Sequence, residues 1–408
     1  FLLLGLAAFC YAVDDAHAMP VSWIANRNAL LATLFGMLAI LAHDAWRRGG
    51  KRAAWAAASC ALLLGLLSNE GAIAACGYLF AYALWLDEGR LRTRLLTLTP
   101  YAVVVVGWRA VYSAMGYGAA GSASYIDPLR SPLRFAKALC DRGPVMFLAQ
   151  WAGPSSDPYF FLPDGVQFAF VLMGCGLIAW FLAACLPMLL SDGTARFWCT
   201  GMLLALVPIC ATFSSDRLLL FVGLGAMGLV AQLLLGVGGE AIKATQRIAW
   251  RRIARAFCVL LIGFHVVAAP LLLPVRIWAF GALMGNVEAC VDTATEGRDV
   301  AGKTLVVVNP PNFFFGYYII LTEAAKDKPL PAHQRCLGPN MGIPLHEIAV
   351  TRLDERSVLL EPGAAYDWVL VRDKEHPFAP GDTVTPVSYT HLRAHETVLD
   401  LVCRLLLE

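Results

Sequence analysis

Long apolar runs with little polar interruption dominate the first 280 residues. In windows of about 19 residues, enough helix to cross a hydrocarbon core roughly 30 Å thick, nine segments stand out: 1–13, 28–46, 53–69, 71–87, 95–115, 165–190, 197–213, 218–237 and 256–280. None alternates polar and apolar positions as a lipid-facing barrel strand does. In lipid every backbone N–H and C=O needs a partner within the protein, so such runs form helices. The pattern predicts an all-α polytopic membrane bundle of about nine spans over residues 1–286.

Residues 116–164 break the rhythm. The stretch SPLRFAKALCDRGPVMFLAQW mixes Leu133, Phe135, Ala136, Leu139 and Phe147 with basic residues. It fits a helix lying in the membrane interface or, equally, one packed on the bundle. After Val287 the texture changes again. Strand-like runs (TLVVVN, HEIAVTRL, RSVLLE, DWVLVRD) alternate with turn signals, and Asn312 is placed to cap a helix through FFFGYYIILTEAAKDK. Residues 287–386 are expected to form a small α/β module. The sequence opens inside an apolar run with no basic stretch before it, so a segment upstream of Phe1 is expected. Residues 387–408 resemble translated sequencing-adapter read-through and are set aside as an artefact.

Composition agrees with the pattern. Of 408 residues, 58% are hydrophobic and 15% charged, against roughly 45–50% and 25% in soluble domains. An ordinary soluble globular protein is excluded. With 32 Lys and Arg against 30 Asp and Glu, no basic field argues for nucleic acid. The 12 Cys are scattered without zinc spacing, and no metal motif is found. Cys290 and Cys336 are a candidate disulfide.

The distribution of Lys and Arg sets the orientation. Arg47, Arg48, Lys51 and Arg52; Arg90, Arg92 and Arg94; Arg196; and Lys243 to Arg255 all fall in loops on one side. That side is read as cytoplasmic. The loops at 14–27, 69–70, 116–164 and 214–217, together with everything after Phe280, fall on the other side. The tail module is thus expected outside the cytoplasm, and the protein in a bacterial inner membrane.

Ionisable residues at membrane depth are costly and are functional candidates for that reason. The extracytoplasmic loops supply Asp14, Asp15, His17, Arg27 and Asn28; Glu70; Arg109; and Asp216 with Arg217. Arg27, Arg109 and Arg217 suit a lipid phosphate, which a guanidinium meets through two parallel hydrogen bonds. Asp14, Asp15 and Glu70 are the candidate general bases, and a carboxylate set of this kind could hold a divalent cation. For each residue the competing reading is a rim ion pair or, for Asp14 and Asp15, a helix cap. His265, deep in the ninth segment, reads as a core histidine.

Three stretches carry a family resemblance. AHAMPVSWIANRNALLATLFGMLAI resembles the start of the third membrane helix of protein O-mannosyltransferase-like enzymes and their tetratricopeptide-bearing relatives, through His17, Val21, Trp23 and Arg27. LLGLLSNEGAI is similar to the family's Leu-Ser-Lys-Glu signature through Ser68 and Glu70, with Asn69 in the Lys position. SSDRLLLFVGLGAMGLV is similar to its late acidic-Arg-Tyr-Leu motif through Asp216, Arg217, Leu218 and Gly223. The resemblance implies a C-type glycosyltransferase fold. It implies transfer of a sugar from a polyprenyl-phosphate carrier to a glycan, lipid or protein acceptor, with inversion at the sugar carbon. It also implies that the main catalytic carboxylate, which serves as base or binds a metal, lies on a loop upstream of Phe1. The chain departs from the family at Met19, Asn26 and the Asp14–Asp15 pair, and has the tail module in place of repeats. The alternative class is a non-enzymatic membrane protein: a transporter or flippase for lipid-linked glycans, or an envelope-assembly scaffold.

Overall fold

The computed structural model describes residues 1–117, 125–237, 248–295, 297, 299–308, 313–337, 348–353 and 358–362. The chain divides into two units. One comprises Phe1–Tyr117 with Ile126–Ile277, the other Gly118–Tyr125 with Trp278–Glu408.

The first unit is all helical. Its helices are α1 (Leu2–Ala12), α2 (Ala18–Ser22), α3 (Arg27–Gly49), α4 (Arg52–Ser68), α5 (Ala74–Trp85), α6 (Leu91–Leu96), α7 (Thr99–Ala114), α8 (Pro132–Ala152), α9 (Asp164–Ser191), α10 (Gly193–Ile209), α11 (Leu220–Val237) and α12 (Ile248–Leu261). A π-turn over Ile262–Ala268 leads from α12 into α13 (Ala269–Thr295), whose first turns belong to this unit. Four helices are long and apolar enough to cross a membrane: Ile24–Gly49, Leu91–Ala114, Asp164–Ser191 and Trp250–Asp292. The pair Leu2–Ala12 and Asp15–Ser22, bent by 44°, makes a fifth if taken as one span. Arg52–Ser68, Gly193–Ile209 and Leu220–Gly236 are shorter apolar helices. The nine sequence windows thus coincide with helices of unequal length, several too short to cross a bilayer alone.

Small residues bring the helices together, as expected where lipid gives no hydrophobic drive between them. A Cβ on Gly201 would fall 2.2 Å from the Tyr78 ring, and one on Gly228 2.6 Å from Trp198. Tyr78, Trp151, Phe147 and Phe181 fill the buried core, while Leu34, Leu38, Val103, Val106, Leu172 and Leu182 point outward. The second half of α8, Val145 to Trp151, is buried, so this helix packs on the bundle there, with only its first half exposed at Leu133.

Five 3₁₀ turns punctuate the unit, at Asp15–His17, Ile24–Asn26, Glu70–Ile73, Tyr159–Phe161 and Asp216–Leu218. Polar side chains initiate two of them: Asp14 accepts from Ala16 N (3.0 Å) and Asn69 from Gly71 N (2.8 Å). Three of them lie within the loops 14–27 and 116–164, while Glu70–Ile73 and Asp216–Leu218 start in the loops 69–70 and 214–217 and run into the windows 71–87 and 218–237.

In the second unit, β1 (Thr304–Val308) runs parallel to β2 (His333–Leu337), with α14 (Phe313–Ala325) between them in sequence. β3 (Ile348–Arg352) pairs antiparallel with β4 (Val358–Pro362). Val287, Val291 and Ile319 form its small core. Lys326 bridges Glu288 and Asp292 at 2.8 and 2.6 Å. The expected strand DWVLVRD, Asn312 and residues 387–408 lie outside the described residues. Cys290 is an exposed free thiol, and the Cys336 side chain also lies outside the described residues.

Candidate functional site

In the first unit three carboxylates converge on one guanidinium. Arg276, on α13, donates from Nη1 to Asp15 Oδ2 (2.8 Å) and from Nη2 to Asp157 Oδ2 (2.9 Å) and Asp216 Oδ2 (2.7 Å). Ser155 Oγ lies 3.2 Å from the same Nη2. These are charge-assisted bonds, shorter and stronger than neutral ones. They tie the 3₁₀ turn after α1, the loop between α8 and α9, and the turn before α11 to a helix 60 to 261 residues further along the chain.

The two remaining oxygens of the Asp157–Asp216 pair are taken by a reciprocal arrangement. Ser156 donates to Asp216 Oδ1 through both its backbone N (2.8 Å) and its Oγ (2.7 Å). In return Ser215 Oγ (2.7 Å) and Asp216 N (3.0 Å) donate to Asp157 Oδ1. Each half of this clasp is a Ser-Ser-Asp tripeptide, Ser155–Asp157 and Ser214–Asp216, and each Asp is held by the other half. Burial pushes the Asp157 carboxyl above its ordinary range. The like charge of Asp216 adds to this, against the Ser215 hydroxyl and Arg276, which pull it down.

Asp14 stands beside the clasp but outside it. Its carboxylate accepts from Ala16 N and from Gln150 Nε2 (2.8 Å) and is 1% exposed. It is a buried cap, in line with the competing reading. Asp15 differs, since among the described residues only Arg276 bonds its carboxylate, at Oδ2. His17 is buried edge-on to Tyr11 at 4.6 Å, and its Nε2 has no hydrogen-bond partner among the described residues. His265 is a buried core histidine in the π-turn, with neither ring nitrogen hydrogen-bonded among the described residues.

The arginines named from sequence are spread out. Arg217 lies over Trp23 and Phe213, with ring centroids 5.7 and 5.5 Å away, a cation–π cradle. Arg27 is exposed at the start of α3, and Asn28 Oδ1 accepts from Ala29 N (2.8 Å). Arg109 is bound to Asp127 (2.7 Å) and lies over Tyr112. The Tyr112 hydroxyl in turn donates to Glu70 (3.3 Å), which is exposed. Arg109 and Glu70 therefore share Tyr112 in a grouping whose ion pair is made with Asp127 and not with the Arg276 cluster.

Arg276 and Asp157 were not among the residues singled out from sequence. Both had a signal. Arg276 is the only Lys, Arg, Asp or Glu between Arg255 and Glu288, a lone charge in an apolar helix. Asp157 closes the second copy of a tripeptide whose first-nominated copy ends at Asp216.

The donor set does not fit a divalent cation. Among the described residues no three His, Cys, Asp or Glu side chains are grouped to hold a metal ion, and the carboxylate oxygens that converge are occupied by Arg276. Compared with models of protein families, with characterised proteins and with solved structures, the chain finds no match.

Proposed function

We propose that the chain is a multi-pass enzyme of the bacterial inner membrane that moves a sugar from a polyprenyl-phosphate carrier to a glycan, lipid or protein acceptor on the extracytoplasmic face. In this reading it has a C-type glycosyltransferase fold of about nine spans, followed by a small extracytoplasmic α/β module. One observation carries the reading: two of the family-like stretches, about 190 residues apart in sequence, meet. Arg217 of the later stretch lies over Trp23 of the earlier one, and Asp15, just ahead of the earlier stretch, shares Arg276 with Asp216.

The chemistry follows from where the polar groups stand. Asp15 has a carboxylate oxygen that no described residue bonds, so it is the carboxylate of this chain suited to accept the proton of an acceptor hydroxyl. Arg217, beside the Trp23 and Phe213 rings, and the exposed Arg27 would meet the carrier phosphate through paired N–H groups. Fixing acceptor, base and phosphate on rigid turns supplies positioning rather than new bonds. The test is transfer of labelled sugar from a polyprenyl-phosphate donor by the protein in lipid nanodiscs. D15N and R217A are each expected to abolish turnover while the protein stays folded. A folded wild-type protein that neither binds nor consumes any such donor would overturn the reading.

The 44° bend between α1 and the Asp15–Ser22 segment favours a second reading, transport of a lipid-linked glycan, because broken helices recur at transporter binding sites. Movement of a labelled lipid-linked glycan between leaflets of proteoliposomes, without any sugar transfer, would select it.

A further inference from the structure

Three buried polar side chains beside the Arg276 clasp take no part in it. We propose that Asp14, Gln150 and His265 line an internal water site, and that its water joins the Asp14 carboxylate to the His265 imidazole as one hydrogen-bonded chain, a path for a proton between them. The inference concerns the interior of the first unit and rests on neither sugar transfer nor transport.

All three are closed off from solvent, each 1% exposed. Buried polar atoms in folded proteins are almost always hydrogen-bonded, to protein or to ordered water. Among the described residues Gln150 Oε1 and both ring nitrogens of His265 have no partner, and neither has Nε1 of the adjoining Trp151. The packing of α8 on the π-turn brings these groups together. A Cβ on Gly153, just past the end of α8, would fall 2.8 Å from the Phe264 ring. His265 follows on the same turn and lies against the Trp151 backbone. One residue back, Gln150 Nε2 donates to Asp14 Oδ2 (2.8 Å). Asp14 and His265 stand near enough for their charges to act on each other, yet no hydrogen bond joins them. A polar pair separated in this way is the setting for a bridging water. The bonds Asp14 accepts come from Ala16 N and Gln150 Nε2, both uncharged donors. The mixture of groups selects the occupant. A neutral imidazole offers one donor and one acceptor, Gln150 Oε1 accepts, and the carboxylate only accepts. Water, which donates and accepts, meets all of them, whereas an anion would face the Asp14 charge. The other ionisable groups near Asp14 are Cys10 and Tyr11 of α1, and Asp15 and Asp216, which Arg276 already binds, with His17 beyond Asp15. Chains of acid, imidazole and water carry protons inside membrane proteins, and π-turns recur at functional sites.

The probe is water itself, followed by water-edited solid-state NMR of the ¹⁵N-labelled full chain in lipid nanodiscs. The ring-nitrogen signals of His265 are identified by their loss in H265Q, or in H265F where H265Q does not fold. In the wild type these signals are expected to receive magnetisation from water, while core backbone amides such as those of Leu229 and Val230, both fully buried, stay silent. His265 signals as silent as those amides would overturn the water site. The link is read in D14N, which is expected to shift the His265 ring-nitrogen signals and to slow exchange of the ring proton with solvent. D44N, at the exposed pair with Arg48, is expected to do neither. If D14N does not fold, Q150M, which removes the amide beside Asp14, takes its place with the same expectation. His265 signals or ring-proton exchange unchanged in the folded variant would overturn the chain between the two residues.

Discussion

A guanidinium shared by three carboxylates cannot be removed without leaving negative charge unpaired in a site closed to most water. The Arg276 side chain is 22% exposed and that of Asp216 4%, so R276M falls in the regime where breaking a buried ion pair costs roughly 3–5 kcal/mol. Arg48, whose pair with Asp44 is 73% and 37% exposed, is the matched control in the same unit. R48M is expected to cost below about 1 kcal/mol. Denaturation midpoints of the two variants in one detergent check the contrast, and equal shifts would mean the cluster contributes no more than a surface pair. Within the cluster the acids are not equivalent. Asp216 Oδ1 accepts two donors from Ser156, so the amide in D216N must turn an N–H₂ toward Ser156 or toward Arg276. Among the described residues the Asp15 carboxylate has the single partner Arg276. D216N is therefore expected to lose about 1–3 kcal/mol more stability than D15N, the cost of an unmet buried polar group. The carboxylates Asp14, Asp15 and Asp216 were legible in the sequence because charges next to apolar runs stand out. The partner that organises the last two shows only as a lone charge between Arg255 and Glu288, because one Arg scarcely lowers the apolar average of the window that contains it. Which acid keeps a free oxygen depends on hydrogen bonds between residues more than fifty positions apart, and no local pattern encodes those.

At the scale of the element, helical runs are easily read and their lengths are not. The windows 53–69 and 71–87 are apolar throughout, yet α4 ends at Ser68, a 3₁₀ turn over Glu70–Ile73 follows, and α5 has 12 residues. Twelve residues rise about 18 Å, short of a core roughly 30 Å thick. The loop at 69–70 is legible, but the extent of the turn is not, because it runs on through Ala72 and Ile73 and apolar character passes through that half unchanged. Packing between elements is equally hidden. Gly174 and Gly176 look alike in sequence, both in the middle of α9. A Cβ at Gly174 would lie 2.2 Å from the Pro144 carbonyl oxygen of α8, whereas one at Gly176 meets nothing within 4 Å. G174A must push α8 and α9 apart, against backbone that cannot rotate aside, and is expected to cost about 1–3 kcal/mol. G176A is expected to be neutral or to gain up to about 1 kcal/mol from helix propensity. Because α8 and α9 flank the loop that carries Ser155, Ser156 and Asp157, G174A should also impair any activity that depends on the Arg276 clasp. Melting curves of the two alanine variants decide it, and a G174A as stable as G176A would show that the close approach of the two helices is not needed.

For the whole molecule, the length of one helix ties the site to the membrane. The stretch Trp250–Asp292 has 43 residues and would measure about 65 Å as a regular helix, more than twice the hydrocarbon thickness. It begins among Arg251, Arg252 and Arg255, which the Lys/Arg rule assigns to the cytoplasmic rim. From Arg255 to Arg276 the rise is about 32 Å, one hydrocarbon core, which in the proposed orientation would bring Arg276 to the opposite rim. That is the side on which the same rule independently places the loops of Asp15, Asp157 and Asp216. Helix rise and loop charge, both anchored on the Lys/Arg rule, are thus consistent with the proposed extracytoplasmic face for the site. The agreement is testable with reporter fusions. Alkaline phosphatase, active only outside the cytoplasm, is expected to be active when joined after Asp157 or after Gly285 and inactive after Gly50 or Gly89, and a fluorescent protein that matures only inside should give the complementary pattern. Phosphatase activity after Gly50, or its absence after Asp157, would invert the orientation. The Arg276 cluster would then face the cytoplasm, where an extracytoplasmic sugar acceptor could not reach it.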